Sequence, residues 1–202
     1  LMSKALELLR DGKPARLADL SKDEVVPFKR LNLITSKPVV YICNVEEDNA
    51  ATGNAHSAKV FEKAAAEKAQ AVVISAAIEA EVAQLETDEE RKEFLDSLGL
   101  EETGLTQVIR AGYALLDQIT FFTIGPKEAR AWTVFRGAKG PQAAGAIHTD
   151  FERGFIAAET IAYDDYIAVG GEQGAKETGK LRLEGRDYLV QDGDVFHFRF
   201  NV

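Results

Sequence analysis

Two short apolar runs, each ending abruptly on a polar residue, limit the fold of this chain more than any other feature. Pro38-Val39-Val40-Tyr41-Ile42-Cys43 gives way to Asn44, and Ala71-Val72-Val73-Ile74 gives way to Ser75-Ala76. Neither run alternates polar with apolar, which is how strands buried on both faces of a parallel sheet read. In open α/β sheets ligands sit just outside the carboxyl ends of the strands, so both polar stops mark places for a site. Asn44 carries a donor and an acceptor, and the Glu47 carboxylate three residues on can accept N–H bonds. That pair suits the edge of a flat heterocycle such as a nucleotide base. Ser75 also reads as the N-cap of a helix from Ala76 to Leu85, and the two roles are compatible.

Helical patterns surround these runs. Leu1 to Arg10 places Leu1, Ala5, Leu8 and Leu9 on one face and stops at Gly12, with no capping residue before it. Ser21-Lys22-Asp23-Glu24 is a capping box that opens a helix with Val25, Phe28, Leu31 and Ile34 inward. Gly53-Asn54 turns the chain into an alanine-rich helix, Ala55 to Ala69, that would bury Val60, Phe61, Ala64 and Ala65. Thr87-Asp88-Glu89-Glu90 caps another helix that Gly99 ends, and Leu105 to Leu116 forms one more. From Ile119 the texture changes to short runs of Phe, Ile, Val and Trp between glycines. Strands are expected at Ile119–Ile124, Ala129–Phe135, Phe155–Ile161 and Val195–Phe200, with a hairpin over Leu181–Val190 and a helix from Pro141. A small sheet wrapped on one helix is a β-grasp-like arrangement, and the boundary falls near Asp117.

Composition narrows the partners. The 46% apolar content over 202 residues supports a packed core. No apolar run approaches the ~20 residues of a membrane span, and the start lacks the pattern of a signal peptide, so a cytoplasmic location is expected and no membrane partner. The single cysteine, Cys43, reads as a small apolar strand residue without chemistry. The acidic run Glu86 to Glu90 reads as a solvated face, and no metal site is expected. From Gln118 onward 10 Lys and Arg face 12 Asp and Glu, so 14 basic and 21 acidic residues precede it and most of the net charge of −9 lies there. A strongly acidic region repels phosphate backbones, which makes the second part the better place for RNA. Arg136, Lys139, Arg153, Lys180, Arg182 and Arg186, interspersed with Trp132, Phe155 and Tyr188, read either as an RNA-facing surface or as an ordinary mixed surface. His148-Thr149-Asp150 lacks an activated Ser or Cys, so no catalytic residue is assigned.

Asn44-Val45-Glu46-Glu47 resembles the base-recognition motif Asn-Lys-x-Asp of P-loop GTPases, in the altered form of the YchF family of Obg-like ATPases. Thr120 to Gly125, Glu128 to Trp132, Ile147 to Phe155 and Gln191 to Val195 resemble that family's carboxy-terminal TGS domain. The resemblance implies a partial P-loop NTPase, an α/β parallel sheet with helices and the remnant of a helical coiled-coil insertion, followed by a β-grasp TGS domain. Residues 1–36 would be the second part of the insertion, 37–117 the last part of the nucleotide-binding domain and 118–202 the TGS domain. It implies ATP as the nucleotide, its base held by Asn44, Val45, Glu47, Ser75 and Ala76. The main-chain N–H and C=O of Val45 would face adenine, and Glu47, one methylene longer than Asp, would be misplaced for guanine. No G-x-x-x-x-G-K-[ST] occurs, so phosphate binding, hydrolysis and the ligands of Mg²⁺ are expected upstream and this fragment alone is expected to be inactive. The resemblance also implies binding to the ribosome, at the large subunit, and to RNA, with Arg136, Lys139, His148 and Arg153 as contacts. A GTPase of the same superfamily and a non-catalytic β-grasp adaptor for RNA or protein are the competing readings.

Overall fold

The two apolar runs form a parallel pair, β1 (Val40–Asn44) and β2 (Gln70–Ile74), in register from Val40 opposite Gln70 to Asn44 opposite Ile74. The computed structural model describes residues 1–125 and 127–201. Its chain divides into two compact units, Leu1–Leu115 and Leu116–Val202.

In the first unit, α1 (Met2–Arg10) and α2 (Lys22–Arg30) precede β1, and α3 (Ala55–Ala66) makes the crossover to β2. After β2 come α4 (Ala76–Val82), α5 (Asp88–Ser97) and α6 (Gly104–Leu115). Local chemistry sets the start of α3. Asn54 accepts from the N–H groups of His56 and Ser57, while Ser57 Oγ accepts from the Asn54 N–H at 2.8 Å. Gly53 must be glycine there: its φ is +71° and a Cβ would lie 2.5 Å from Ser57 Oγ.

Burial in this unit departs from the sequence expectation. Among the described residues the sheet has two strands, so its residues are not enclosed on both faces: Ile42 is 48% exposed and Cys43 only half-buried. Of the four residues expected to seat α3, Ala64 is buried and Val60 half-buried, whereas Phe61 and Ala65 face outward. The helical segment closes on its own small core of Ala5, Ala15 and Phe28, flanked by Leu20, Leu31 and Leu33. Leu1, Leu9 and Ile34 stay exposed, because three inward side chains saturate so small a contact and Ile34 lies in the 3-10 turn Ile34–Ser36 beyond α2.

That segment is pinned to the α/β layer by one carboxylate. Arg16 donates to Glu67 Oε2 at 2.5 Å, and the Tyr41 hydroxyl donates to the same oxygen at 2.8 Å. Arg16 belongs to the turn Ala15–Leu17, Tyr41 to β1, and Glu67 caps the end of α3.

The second unit is a five-stranded sheet with β3 (Gln118–Ile124), β4 (Ala129–Phe135), β5 (Phe155–Ala162), β6 (Arg182–Glu184) and β7 (Asp194–Phe200). Its order is β4-β3-β7-β5-β6, with β3 and β7 parallel at the centre and every other pair antiparallel. That order, with α7 (Gly140–Ile147) after the second strand, is the β-grasp arrangement. A core of Ile119, Phe121, Phe155, Phe196 and Phe198 lies under α7, and α8 (Thr149–Arg153) follows it. On β7 His197 is exposed and Phe198 buried, outward and inward in turn. A second cluster joins Ile161 and Val195 to Ala175 of α10 (Glu172–Glu177), next to α9 (Tyr163–Ala168). The hairpin expected over Leu181–Val190 does not form. β6 pairs with β5, and Leu189 instead bridges to Lys139, because the stretch turns away at Gly185 to close over the start of α7. Asp194 is buried at the start of β7 and accepts from the Gln191 N–H and the Tyr188 hydroxyl; burial nonetheless pushes its carboxyl pKa up.

Glu67 behaves in the opposite way. The Tyr41 hydroxyl, and then Arg16, hold its carboxyl below its ordinary 4.5. A lowered pKa adds stability above the unfolded value and loses it as pH falls through the folded one. Glu67→Gln is therefore less stable than the parent at pH 7, and the gap closes as pH falls below about 4.5. Urea midpoints for both chains across that range test this, and a gap that does not change with pH would count against it.

Candidate functional site

The two strand stops expected to form a site are brought together. Asn44 Oδ1 accepts the N–H of Ala76 at 2.9 Å, linking the end of β1 to the first residue of α4. A main-chain N–H can only donate, so this partner settles which end of the Asn44 amide is oxygen. Asn44 and Ala76 are both exposed, and the remaining amide N–H bonds and second lone pair of Asn44 face solvent-accessible space.

Val45 differs from expectation. Its N–H donates to the Ile74 carbonyl at 2.9 Å, because the parallel ladder runs one residue past Asn44. Only its carbonyl is left for a base. Glu47 starts the 3-10 turn Glu47–Asn49 and is exposed; its carbonyl accepts the Ala50 N–H at 3.0 Å, and its side chain has no hydrogen-bond or ion-pair partner among the described residues.

Ser75 also departs from the sequence reading. Its hydroxyl makes no capping bond to α4; the side chain is buried at 3% exposure and Oγ has no partner among the described residues. Asn44 caps α4 in its place, from a different strand. A buried hydroxyl without a partner costs roughly 1–3 kcal/mol, and such a group beside an exposed loop fits a site that a polar ligand completes.

Sequence reasoning missed the next link. Glu79, on α4, accepts from the N–H groups of Gly104 at 2.7 Å and Leu105 at 3.1 Å, so one α4 carboxylate caps α6. Thr103 caps the same end locally, its Oγ1 accepting the Thr106 N–H. The sequence signal was a glycine at the first position of α6. A Cβ on Gly104 would lie 2.7 Å from Ile74 Cγ2 and 3.1 Å from Glu79 Oε1, so the helix end packs directly on the end of β2.

Three basic residues of the second unit each have a carboxylate beside them. Arg136 faces Asp117 at 3.4 Å, Lys139 faces Asp187 at 2.7 Å, and Arg153 faces Asp150 at 2.8 Å. His148 caps α8 through Nδ1, which accepts the Asp150 N–H at 3.2 Å. Lys139 and His148 flank α7 at opposite ends, roughly 13 Å apart at 1.5 Å per residue. The aromatic residues between them are not free stacking surfaces. Phe155 lies in the core, Trp132 and Tyr188 pack against it, and Arg130 and Arg182 lie over those last two rings. Among the described residues no cluster of three His, Cys, Asp or Glu side chains is placed to hold a metal ion. No helix is long and apolar enough to cross a membrane, again among the described residues.

Comparison with known proteins matches this geometry to one group. The family model YchF-GTPase_C, described as a protein of unknown function (DUF933), matches residues 118–201. A Bacillus subtilis protein named ribosome-binding ATPase YchF is 52% identical over 204 residues, covering 100% of this chain and 56% of its own length. The Haemophilus influenzae protein of the same name is 56% identical over 202 residues, covering 100% and 55%. Rat Obg-like ATPase 1 is 42% identical over 194 residues, covering 94% of this chain and 48% of its own. The solved structure of the Schizosaccharomyces pombe YchF GTPase superposes with a TM-score of 0.78 at 33% identity, over 94% of this chain and 50% of that one. The chain thus spans about half the length of the curated relatives it matches.

Tight packing at Gly104 has a measurable consequence. Gly104→Ala destabilises the chain by about 1–3 kcal/mol through overpacking against Ile74, although Ala exceeds Gly in helix preference by about 1 kcal/mol. Urea unfolding measures it, and a neutral or stabilising result would show that β2 and α6 are not locked at this point.

Proposed function

Because the chain belongs to the YchF family, we propose that it is the base-reading half of an ATP-binding and ATP-hydrolysing protein that associates with the ribosome. The observation that carries the reading is the hydrogen bond from the Ala76 N–H to Asn44 Oδ1. It holds the Asn44 amide in one orientation at the carboxyl end of β1. Adenine offers an N6 donor beside an N7 acceptor, and an Asn amide pairs with both at once. Guanine offers two acceptors at the same edge, O6 and N7, so a fixed Oδ1 would face O6 without a proton between them.

The other members of the set take limited roles. Val45 contributes its carbonyl, its N–H being engaged by Ile74. The Ser75 hydroxyl gains a partner when a base or its bound water fills the loop. Glu47, one methylene longer than Asp, would be misplaced for guanine's two donors. Mg²⁺ would supply charge neutralisation at the phosphates, and no described cluster of ligating side chains here fits it. The contacts proposed for the ribosome, Arg136, Lys139, His148 and Arg153, are already ion-paired or capping. Their use would exchange carboxylate for phosphate partners, giving a shallow dependence on salt. The names of the curated relatives, ribosome-binding ATPase and Obg-like ATPase, favour ATP and the ribosome over a plain adaptor, while the Schizosaccharomyces pombe structure and the family model carry the name GTPase.

The double change Val45→Lys and Glu47→Asp in the full-length protein restores a carboxylate placed for guanine's two donors. A charged hydrogen bond contributes roughly 1.5–3 kcal/mol, so GTP gains about 10- to 150-fold relative to ATP. Titration of both nucleotides on parent and variant measures the ratio. An unchanged ATP preference would place base choice outside the loop from Asn44 to Glu47.

A further inference from the structure

The outer edge of β2 is open and lies in a groove. Ile74 uses its carbonyl on the Val45 N–H, so its main-chain groups point toward β1. Alternate strand residues point their main-chain groups to opposite sides, which directs those of Ala71 and Val73 to the edge away from β1. Neither residue has a main-chain partner there among the described residues. A groove of about 700 Å³ is lined by three consecutive strand residues, Ala71, Val72 and Val73. Neighbouring side chains face opposite sides of a strand, so a groove that touches all three runs along the edge and not over one face.

The opposite walls give the groove its chemistry. α3 supplies Phe61, 43% exposed, and the segment between α5 and α6 supplies Glu101 and Glu102. Glu102 is paired with Arg110 at 2.8 Å, whereas Glu101 has no partner among the described residues. No Lys or Arg lines the groove. An unpaired edge is a template for another strand, and alternate side chains of an added strand would meet Phe61 and the acidic wall in turn.

We propose that β2 accepts a basic, extended segment of a partner protein as a third strand in this groove. The segment bonds to the outward N–H and C=O groups of Ala71 and Val73, sets small apolar side chains against Phe61 and places Lys or Arg by Glu101. Five residues of β2 match an added stretch of about 17 Å.

Fluorescence anisotropy with a labelled nine-residue peptide of alternating Val and Lys tests this on the full-length protein. Val73→Pro removes an outward N–H at an edge position where proline is tolerated, and lowers affinity by about tenfold or more. Glu101→Lys weakens binding several-fold, and the same peptide N-methylated at alternate amides does not bind. If Val73→Pro fails to fold, the N-methylated peptide carries the test. Equal binding of the plain and N-methylated peptides would reduce the effect to charge attraction and overturn the proposal. So would a dimer of the peptide-free chain in sedimentation that Val73→Pro abolishes, since the edge would then serve a second copy.

Discussion

The first unit depends on one hydrogen bond between the end of β1 and the start of α4, the Ala76 N–H to Asn44 Oδ1. The first N–H groups of a helix lack internal partners, so some acceptor must supply them. For α4 that acceptor comes from β1, and for α6 it comes from Glu79 of α4. Two caps in series therefore hold the end of β1, α4, the end of β2 and the start of α6 in one arrangement. The loop proposed to face a base is positioned by secondary structure through these caps, which is why it can be exposed and still have a fixed orientation.

Much of this could be read from the residues before any coordinates. The apolar runs before Asn44 and Ser75, the Ser21 and Thr87 capping boxes, the glycine stop at Gly99 and the strands after Ile119 all have local causes. What could not be read is non-local. Whether Val45 offers its N–H depends on how far the ladder with β2 extends, and whether Ser75 caps α4 depends on a competitor from another strand. The exposure of Ile42 and Phe61 follows from how many strands and helices surround them, which no window of sequence contains. The Leu181–Val190 stretch has a hairpin composition, but β5 offers β6 the better partner.

In the second unit the basic residues near the aromatic side chains each have a carboxylate beside them: Asp117 faces Arg136, Asp150 faces Arg153 and Asp187 faces Lys139. Phe155 is a core residue beneath α7, its backbone carbonyl held by Arg186. Any contact this unit makes with a polyanion must exchange partners and not simply attract charge. That favours recognition of a particular surface over general affinity for nucleic acid.

The central claim is that the Ala76 N–H fixes the Asn44 amide, and Ala76→Pro isolates that one group. Ala76 is the first residue of α4, where proline is favoured, and the extended backbone of Ser75 suits the residue before a proline. The variant keeps the helix and removes only the donor, so the Asn44 amide can flip out of the one orientation that pairs with adenine, whereas guanine's two acceptors meet a single donor in either orientation. Dissociation constants for ATP and GTP on the full-length protein and this variant, with thermal unfolding as the control for folding, give the answer. The account predicts that the ATP preference narrows by about tenfold, the equivalent of roughly 1.4 kcal/mol. A folded variant that keeps the parent's ratio of ATP to GTP affinity would contradict it.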